Sequence, residues 1–168
     1  RPSIGSVGLG NMGGGELQQR LNEAAPGSTV FLARGALVQI HAQLVIPSGV
    51  TLATYDPSAQ DNQMINRRAY AAMGRLVRAR RFPEPLVRLM PGARLVGVWV
   101  DGRRSQLRVN DPALKNPSLP ADERFQFSHN ISIRGGTSEG AATEVAHCKI
   151  TDSTGWTGIH ALGSNGAR

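Results

Sequence analysis

One phrase recurs along this chain: a short apolar run, a turn built on Gly, Pro, Asn or Asp, and a second apolar run. Its fullest form is PLVRLMPGARLVGVWVDG at 85–102, and versions of it stand at 26–35 (PGSTVFLARG), 46–53 (IPSGVTLA), 129–136 (HNISIRGG) and 143–163 (TEVAHCKITDSTGWTGIHALG). A chain that writes short strands between turns, over and over, buries each unit's apolar side against the next unit, which is the condition for a solenoid. The turn prolines give the interval, because Pro26 and Pro47 stand 21 positions apart and Pro47 and Pro91 stand 44 apart, close to twice that. A recurrence of roughly 20–25 residues lies in the solenoid range.

Composition agrees with thin aliphatic layers and many turns. Aromatic residues make up 5% of the chain, against 20 glycines and 10 prolines, so strands and tight turns are expected and helices should be few. At 168 residues the default is one domain. The formal charge of +7 and a pI near 11 come almost wholly from arginine, since Lys115 and Lys149 are the two lysines. A polyanionic partner follows from that balance. Nucleic acid fits less well than an acidic polysaccharide, because the arginines are scattered and not interleaved with the aromatic rings on which bases stack. The single cysteine, Cys148, excludes internal disulfides and thiolate zinc clusters, and its apolar setting, AHCKI, reads as a buried inert thiol. No apolar run is long enough to cross a bilayer, so no membrane role is expected. The chain starts at Arg1, with no signal peptide there, and an upstream segment is expected.

Residues 1–15 form a glycine-rich lead-in, RPSIGSVGLGNMGGG, in which backbone entropy opposes a long regular element. Then Leu17, Leu21 and the Ala24–Ala25 pair fall on one face at helical spacing, and Pro26-Gly27 stops the run, so ELQQRLNEAA predicts one amphipathic helix over 16–25. The β-branched runs that follow predict strands. Two polar, turn-rich stretches, 55–75 and 103–128, interrupt the repeat and read as loops protruding from one side of the stack, where repeat proteins place specificity.

Taken in order, ELQQRLNEAA, PGSTVFLARG, LVIPSGVTL, RLVRA, PLVRLMPGARLVGVWVDG, HNISIRGG and TEVAHCKITDSTGWTGIHALGS resemble the amino-terminal part of a right-handed parallel β-helix of the pectate-lyase-like superfamily. The resemblance covers 16–168 and implies an all-β solenoid with a short amino-terminal capping α-helix. It implies little about activity, because the same phrases occur in lyases, hydrolases, epimerases and phage tailspikes. A carbohydrate-active protein of this kind, secreted or periplasmic, is the expected class. The paired-aspartate and Gly-His-Gly phrases of polygalacturonase-like hydrolases and the Asp-Pro-His-Glu phrase of alginate epimerases are missing from the sequence.

Strand alternation assigns directions. Leu95 points inward, a bend at Gly97 resets the phase, and Val98 and Val100 then point inward with Trp99 and Asp101 outward. By the same rule Ile131, Ile133, Val145, Cys148, Ile150 and Ile159 face in, while Arg134, Lys149 and His160 face out. His160 aligns by phrase with Val87, and a histidine replacing an aliphatic there can serve as acid or base. Lys149, Arg134 and the pair Arg103-Arg104 can neutralise a uronate carboxylate, stabilise the enolate-like transition state and take the C5 proton in β-elimination. Asp101 and Asp152 end strands before turns, so they either cap their own backbone or form a carboxylate pair, for glycoside hydrolysis or for a Ca2+ ion bridging uronate groups. The expected catalytic set is therefore His160, Lys149, Arg134 and Asp152, and the expected substrate contacts are Trp99, Asp101, Arg103 and Arg104. His41, His129 and His147 lack partners at metal-ligand spacing, so no metal site of histidines is expected.

Two other functions stay open. A non-catalytic β-helical glycan-binding or surface protein needs the outward groove but neither acid nor base. Gly8-Leu9-Gly10-Asn11-Met12-Gly13 also satisfies G-x-G-x-x-G before a helix, and with Arg34 after STVFLA it is similar to the opening of NADP-binding β-hydroxyacid dehydrogenases. At the other end, GIHALGSNGAR (158–168) parallels PLVRLMPGAR (85–94) without the strand that follows the earlier copy. A continuation of the chain, or a neighbouring copy covering that end, is expected.

Overall fold

The computed structural model describes residues 8–55, 72–107, 117–118, 129–134, 142–154 and 157–162. They form one short helix and thirteen short strands, all paired in parallel. In chain order these are β1 (Met12–Gly13), α1 (Gly14–Glu23), β2 (Thr29–Leu32), β3 (Leu37–Ile40), β4 (Leu44–Ile46), β5 (Thr51–Thr54), β6 (Gly74–Arg78), β7 (Val87–Leu89), β8 (Arg94–Val96), β9 (Val98–Asp101), β10 (Ile131–Arg134), β11 (Glu144–Ala146), β12 (Lys149–Thr151) and β13 (Ile159–Leu162). Three sheets result, in the orders β1-β3-β6-β9-β12, β4-β7-β10-β13 and β2-β5-β8-β11. The chain visits the three sheets in turn and then returns one rung further on, which makes an all-β, solenoid-like stack of four three-strand coils.

Parallel pairing in register turns the interior into columns. Val30, Leu52, Leu95 and Val145 stack in the third sheet, and Val38, Leu76, Val100 and Ile150 stack in the first. The second sheet adds Leu44 and Ile131 on either side of Val87, and Ile46 and Ile133 on either side of Leu89. Nearly all of these from the middle coils are fully buried in one continuous cluster. The expected inward set of Leu95, Val98, Val100, Ile131 and Ile133 is all in that core, while Val145, Cys148 and Ile150 pack against it partly covered. Ile159 differs: it continues the Val87–Ile131 column but is 41% exposed, because β13 lies at the edge of its sheet and is covered on one flank.

The corners are set by single residues. Gly97, between β8 and β9, has φ +61°, and its N–H donates to Ala146 O of the next coil. The matching position there is His147, also left-handed at φ +54°. So the bend expected at Gly97 is present, and it recurs one rung on.

The lead-in reaches further into the stack than its glycines suggest. Met12–Gly13 pairs with Val38–Gln39, and Leu9 bridges Leu32. Helix α1 spans Gly14–Glu23, two residues earlier than the spacing predicts at each end, and its Leu17 and Leu21 are fully buried against the first coil. Gln18 then satisfies the open edge of β4: its Nε2 donates to Val45 O (2.8 Å) and its Oε1 accepts from Val45 N–H (2.7 Å). A doubly wound sheet, which a dinucleotide site over Gly8–Gly13 needs, does not occur among the described residues. The stretch 55–75, expected as a loop, ends early, because Gly74 and Arg75 already belong to β6. Residues 56–71 and most of 103–128 lie outside the described residues.

One inward position is charged. Arg78 stands in register with Ile40 and is 1% exposed. Its guanidinium lies 4.0 Å from the Phe82 ring centroid and donates to Phe82 O and Glu84 O, so the segment between β6 and β7 closes over it. Burial lowers its pKa to about 10, opposed by the nearby Glu84 carboxylate, and it stays protonated at neutral pH.

Because Val45 pairs with a side chain and not with a strand on that flank, Gln18→Ala should lower stability by about 1–3 kcal/mol in urea unfolding. Gln18→Glu, which keeps the acceptor and loses the donor, should fall between it and the parent.

Candidate functional site

The outer face of the first sheet gathers most of the polar residues singled out from the sequence. Arg75 of β6, Trp99 of β9 and Lys149 of β12 are register partners and form one outward column. Trp99 is the middle member: the Arg75 guanidinium lies 4.2 Å and the Lys149 Nζ 4.1 Å from its ring centroid, one cation from each neighbouring strand. Its indole Nε1 donates to Thr151 Oγ1 at 2.7 Å, which fixes the ring plane. Each such cation–ring contact stabilises by about 0.5–1 kcal/mol at an exposed site.

Asp101 shares the outer face yet is 4% exposed. Its Oδ2 accepts from Arg75 Nη2 and from Arg75 Nε (3.1 Å), and its Oδ1 accepts from Arg103 N–H (2.9 Å). The carboxylate is thus committed to a fork from Arg75 and to the backbone of the turn that follows it. The turn reading of Asp101 describes this geometry well, although the Arg75 partner was hidden.

The ends of β9 and β12 meet side by side. Gly102 N–H donates to Thr151 O and Arg104 N–H to Asp152 O, and both Arg103 (φ +51°) and Asp152 (φ +49°) are left-handed. A Cβ on Gly102 would come within 2.3 Å of Asp152 O and 2.5 Å of Asn130 Oδ1, so only glycine permits this approach. Asn130, fully buried, donates through Nδ2 to Val100 O (3.3 Å) and Thr151 O (2.7 Å), tying the third coil to the fourth.

Of the expected site residues, Trp99, Asp101, Arg103, Arg104, Lys149 and Asp152 therefore belong to the first sheet or the turns at its edge. His160 and Arg134 do not. They sit on β13 and β10 of the second sheet, where the register pairs His160 with Ser132 and, one rung further, Arg88. The phrase alignment of His160 with Val87 is thereby corrected by one residue: Ile159 occupies that column. Asp101 and Asp152 end neighbouring rungs, but with Asp101 held by Arg75 they do not form a free carboxylate pair. No group of three or more His, Cys, Asp or Glu side chains able to hold a metal occurs among the described residues. No described helix is long and apolar enough to cross a membrane.

Sequence reasoning missed Arg75, Thr151 and Asn130, and it also missed that His129 stacks on His160 (ring centroids 4.4 Å apart). The signal for Arg75 was its place two residues before RLVRA's second apolar position, on the face opposite Leu76. Cys148 behaves as read: its thiol donates weakly toward Ala146 O and Leu95 O, and burial pushes its pKa up to about 11.

Compared with known proteins, the chain matches no family model, no curated protein and no solved structure.

Two outcomes are expected. Asp101→Asn should destabilise the fold measurably, by about 1 kcal/mol given that Arg75 is partly exposed, while Lys149→Ala, which removes one cation–ring contact, should cost about 0.5–1 kcal/mol in the same denaturation assay. For Cys148 the folded pKa lies above the unfolded one, so its contribution is complete below pH 9 and is lost as pH rises toward 11. Stability measured across that window should fall less in Cys148→Ala than in the parent, and thiol labelling of the folded protein should be slow at pH 8.

Proposed function

We propose that this chain is a right-handed parallel β-helix of the pectate-lyase-like kind, closed at its amino-terminal end by α1, and that it binds an acidic polysaccharide along the outer face of its first sheet. The observation that carries the reading is the Arg75–Trp99–Lys149 column. Rungs of a parallel sheet are about 4.8 Å apart, and the two cations that flank Trp99, at 4.2 and 4.1 Å from its ring centroid, lie within about 8 Å of each other. A polyanion laid across the strands meets positive charge at that interval. Lys149 is exposed and has no ion pair among the described residues, so its charge is available to a carboxylate. Arg75 is already shared with Asp101, and Trp99 acts as the spacer that holds both cations. A net charge of +7 adds long-range attraction for such a polymer. The leucines and the Gln18 amide of α1, packed on the first coil, support its role as the cover of that end. A polymer of this kind places the working protein outside the cytoplasm, secreted or periplasmic.

A second reading, β-elimination on the bound uronate, is favoured by one observation: Lys149, which opens β12, and Asp152, which directly follows it, are both exposed. Lys149 would neutralise the carboxylate or take the proton. The other two members of the expected catalytic set, His160 and Arg134, stand on another sheet, which favours binding without turnover.

Retention on immobilised polygalacturonate and alginate tests the proposal. Retention at low salt, released by added salt and weakened at least fivefold by Lys149→Ala, is the expected result. No retention on either polymer discards it. A rise in ultraviolet absorbance from an unsaturated uronate, abolished by Lys149→Ala, would establish the lyase reading, and a flat trace with intact binding would leave the binding protein.

A further inference from the structure

We propose that the outer face of the second sheet carries a separate oxyanion site, built from Arg88, Ser132 and His160, that takes a tetrahedral phosphate- or sulfate-type group. The register places the three in one column, Arg88 on β7, Ser132 on β10 and His160 on β13, on successive rungs about 4.8 Å apart. Their neighbours Val87, Leu89, Ile131 and Ile133 are buried in the core, so alternation turns all three outward.

The column holds donors and no acid. Its first member, next to Arg88, is Val45 of β4. On the other outer columns, arginines are neutralised: Arg75 by Asp101, and Arg94 by Glu144 at 3.0 Å. Arg88 has no ion pair among the described residues, and its Nε is buried there with no hydrogen-bond partner. A buried donor left without an acceptor is costly, and an anion received at this point would supply the acceptor. Ser132, 5% exposed, offers a hydroxyl on the next rung.

His160 is held in place for the same task. Its ring stacks on His129 at 4.4 Å between centroids with planes 25° apart, and His129 Nδ1 is in turn hydrogen-bonded to Thr157 Oγ1 at 2.8 Å. Stacking fixes the imidazole plane and leaves ring-edge nitrogens for a ligand. A guanidinium, a hydroxyl and an imidazole set on three rungs present donors in several directions. A tetrahedral group with three or four acceptor oxygens answers such a set better than a planar carboxylate, and Arg88 supplies the forked contact that oxyanions favour. The site is independent of the polysaccharide reading, since it uses a different sheet and none of the residues around Trp99.

The test follows histidine ring proton signals by NMR while inorganic phosphate, sulfate or polygalacturonate is added to the intact protein. Phosphate or sulfate should shift the His160 signals saturably. Arg88→Gln should weaken that response at least tenfold, Ser132→Ala severalfold, and Lys149→Ala should leave it unchanged. Whichever of the two inorganic ions binds tighter identifies the group. The proposal is overturned if neither ion moves the His160 signals, if the shift persists in both Arg88→Gln and Ser132→Ala, or if Lys149→Ala removes it. Polygalacturonate retention that survives Arg88→Gln, alongside a lost phosphate response, would show the two faces to be distinct.

Discussion

Everything in this molecule depends on parallel strands pairing in register from one coil to the next. Backbone hydrogen bonds between rungs set the height of each coil, and they also force equivalent residues into vertical contact. Inside, that produces unbroken columns such as Val38, Leu76, Val100 and Ile150, in which the inner members Leu76 and Val100 are covered by the residue above and the one below. No coil could bury these groups alone, since no described strand is longer than five residues. Outside, the same rule writes side-chain chemistry in columns too. Arg75, Trp99 and Lys149 meet because they share a register position, although 74 residues of chain number separate the first from the last.

Polar groups are admitted to the interior only under supervision. Arg78 occupies an aliphatic position, and its charge is met by carbonyl oxygens of the segment that follows its own strand and by the face of Phe82. Asn130 is as deeply buried, and its amide bonds to carbonyls of two successive coils, so that it acts as a clip between rungs. Asn130 stands where the long crossover from β9 rejoins the stack, and Arg78 stands where the shorter one from β6 leaves it. Buried polar groups of this sort specify one arrangement more than they add stability, because an alternative register would strand them without partners.

The repeat itself was legible because turn prolines, glycines and β-branched runs recur at a near-constant interval, and the alternation rule then gave correct directions for Leu95, Val98, Val100, Ile131 and Ile133. What escaped was the vertical pairing. A long insertion between β5 and β6 hid Arg75 in what reads as a loop, and a one-residue slip placed His160 opposite Val87 when Arg88 belongs to its column. Direction within a strand is a local property and can be read from neighbours. Register between strands depends on how many residues each corner consumes, and a single sequence does not display that count.

The left-handed corner shared by Gly97 and His147 has a wider meaning. In the third and fourth coils a left-handed residue turns the chain from the third sheet into the first within one or two residues, whereas the same corner takes residues 33–36 between β2 and β3 and carries the long insertion between β5 and β6. Chain is gained at two different corners, between β5 and β6 and between β9 and β10, and the third sheet keeps its register across both, from Thr51 to Arg94 and from Arg94 to Glu144. New surface can thus be added at either of these corners without disturbing the heights of the rungs behind it.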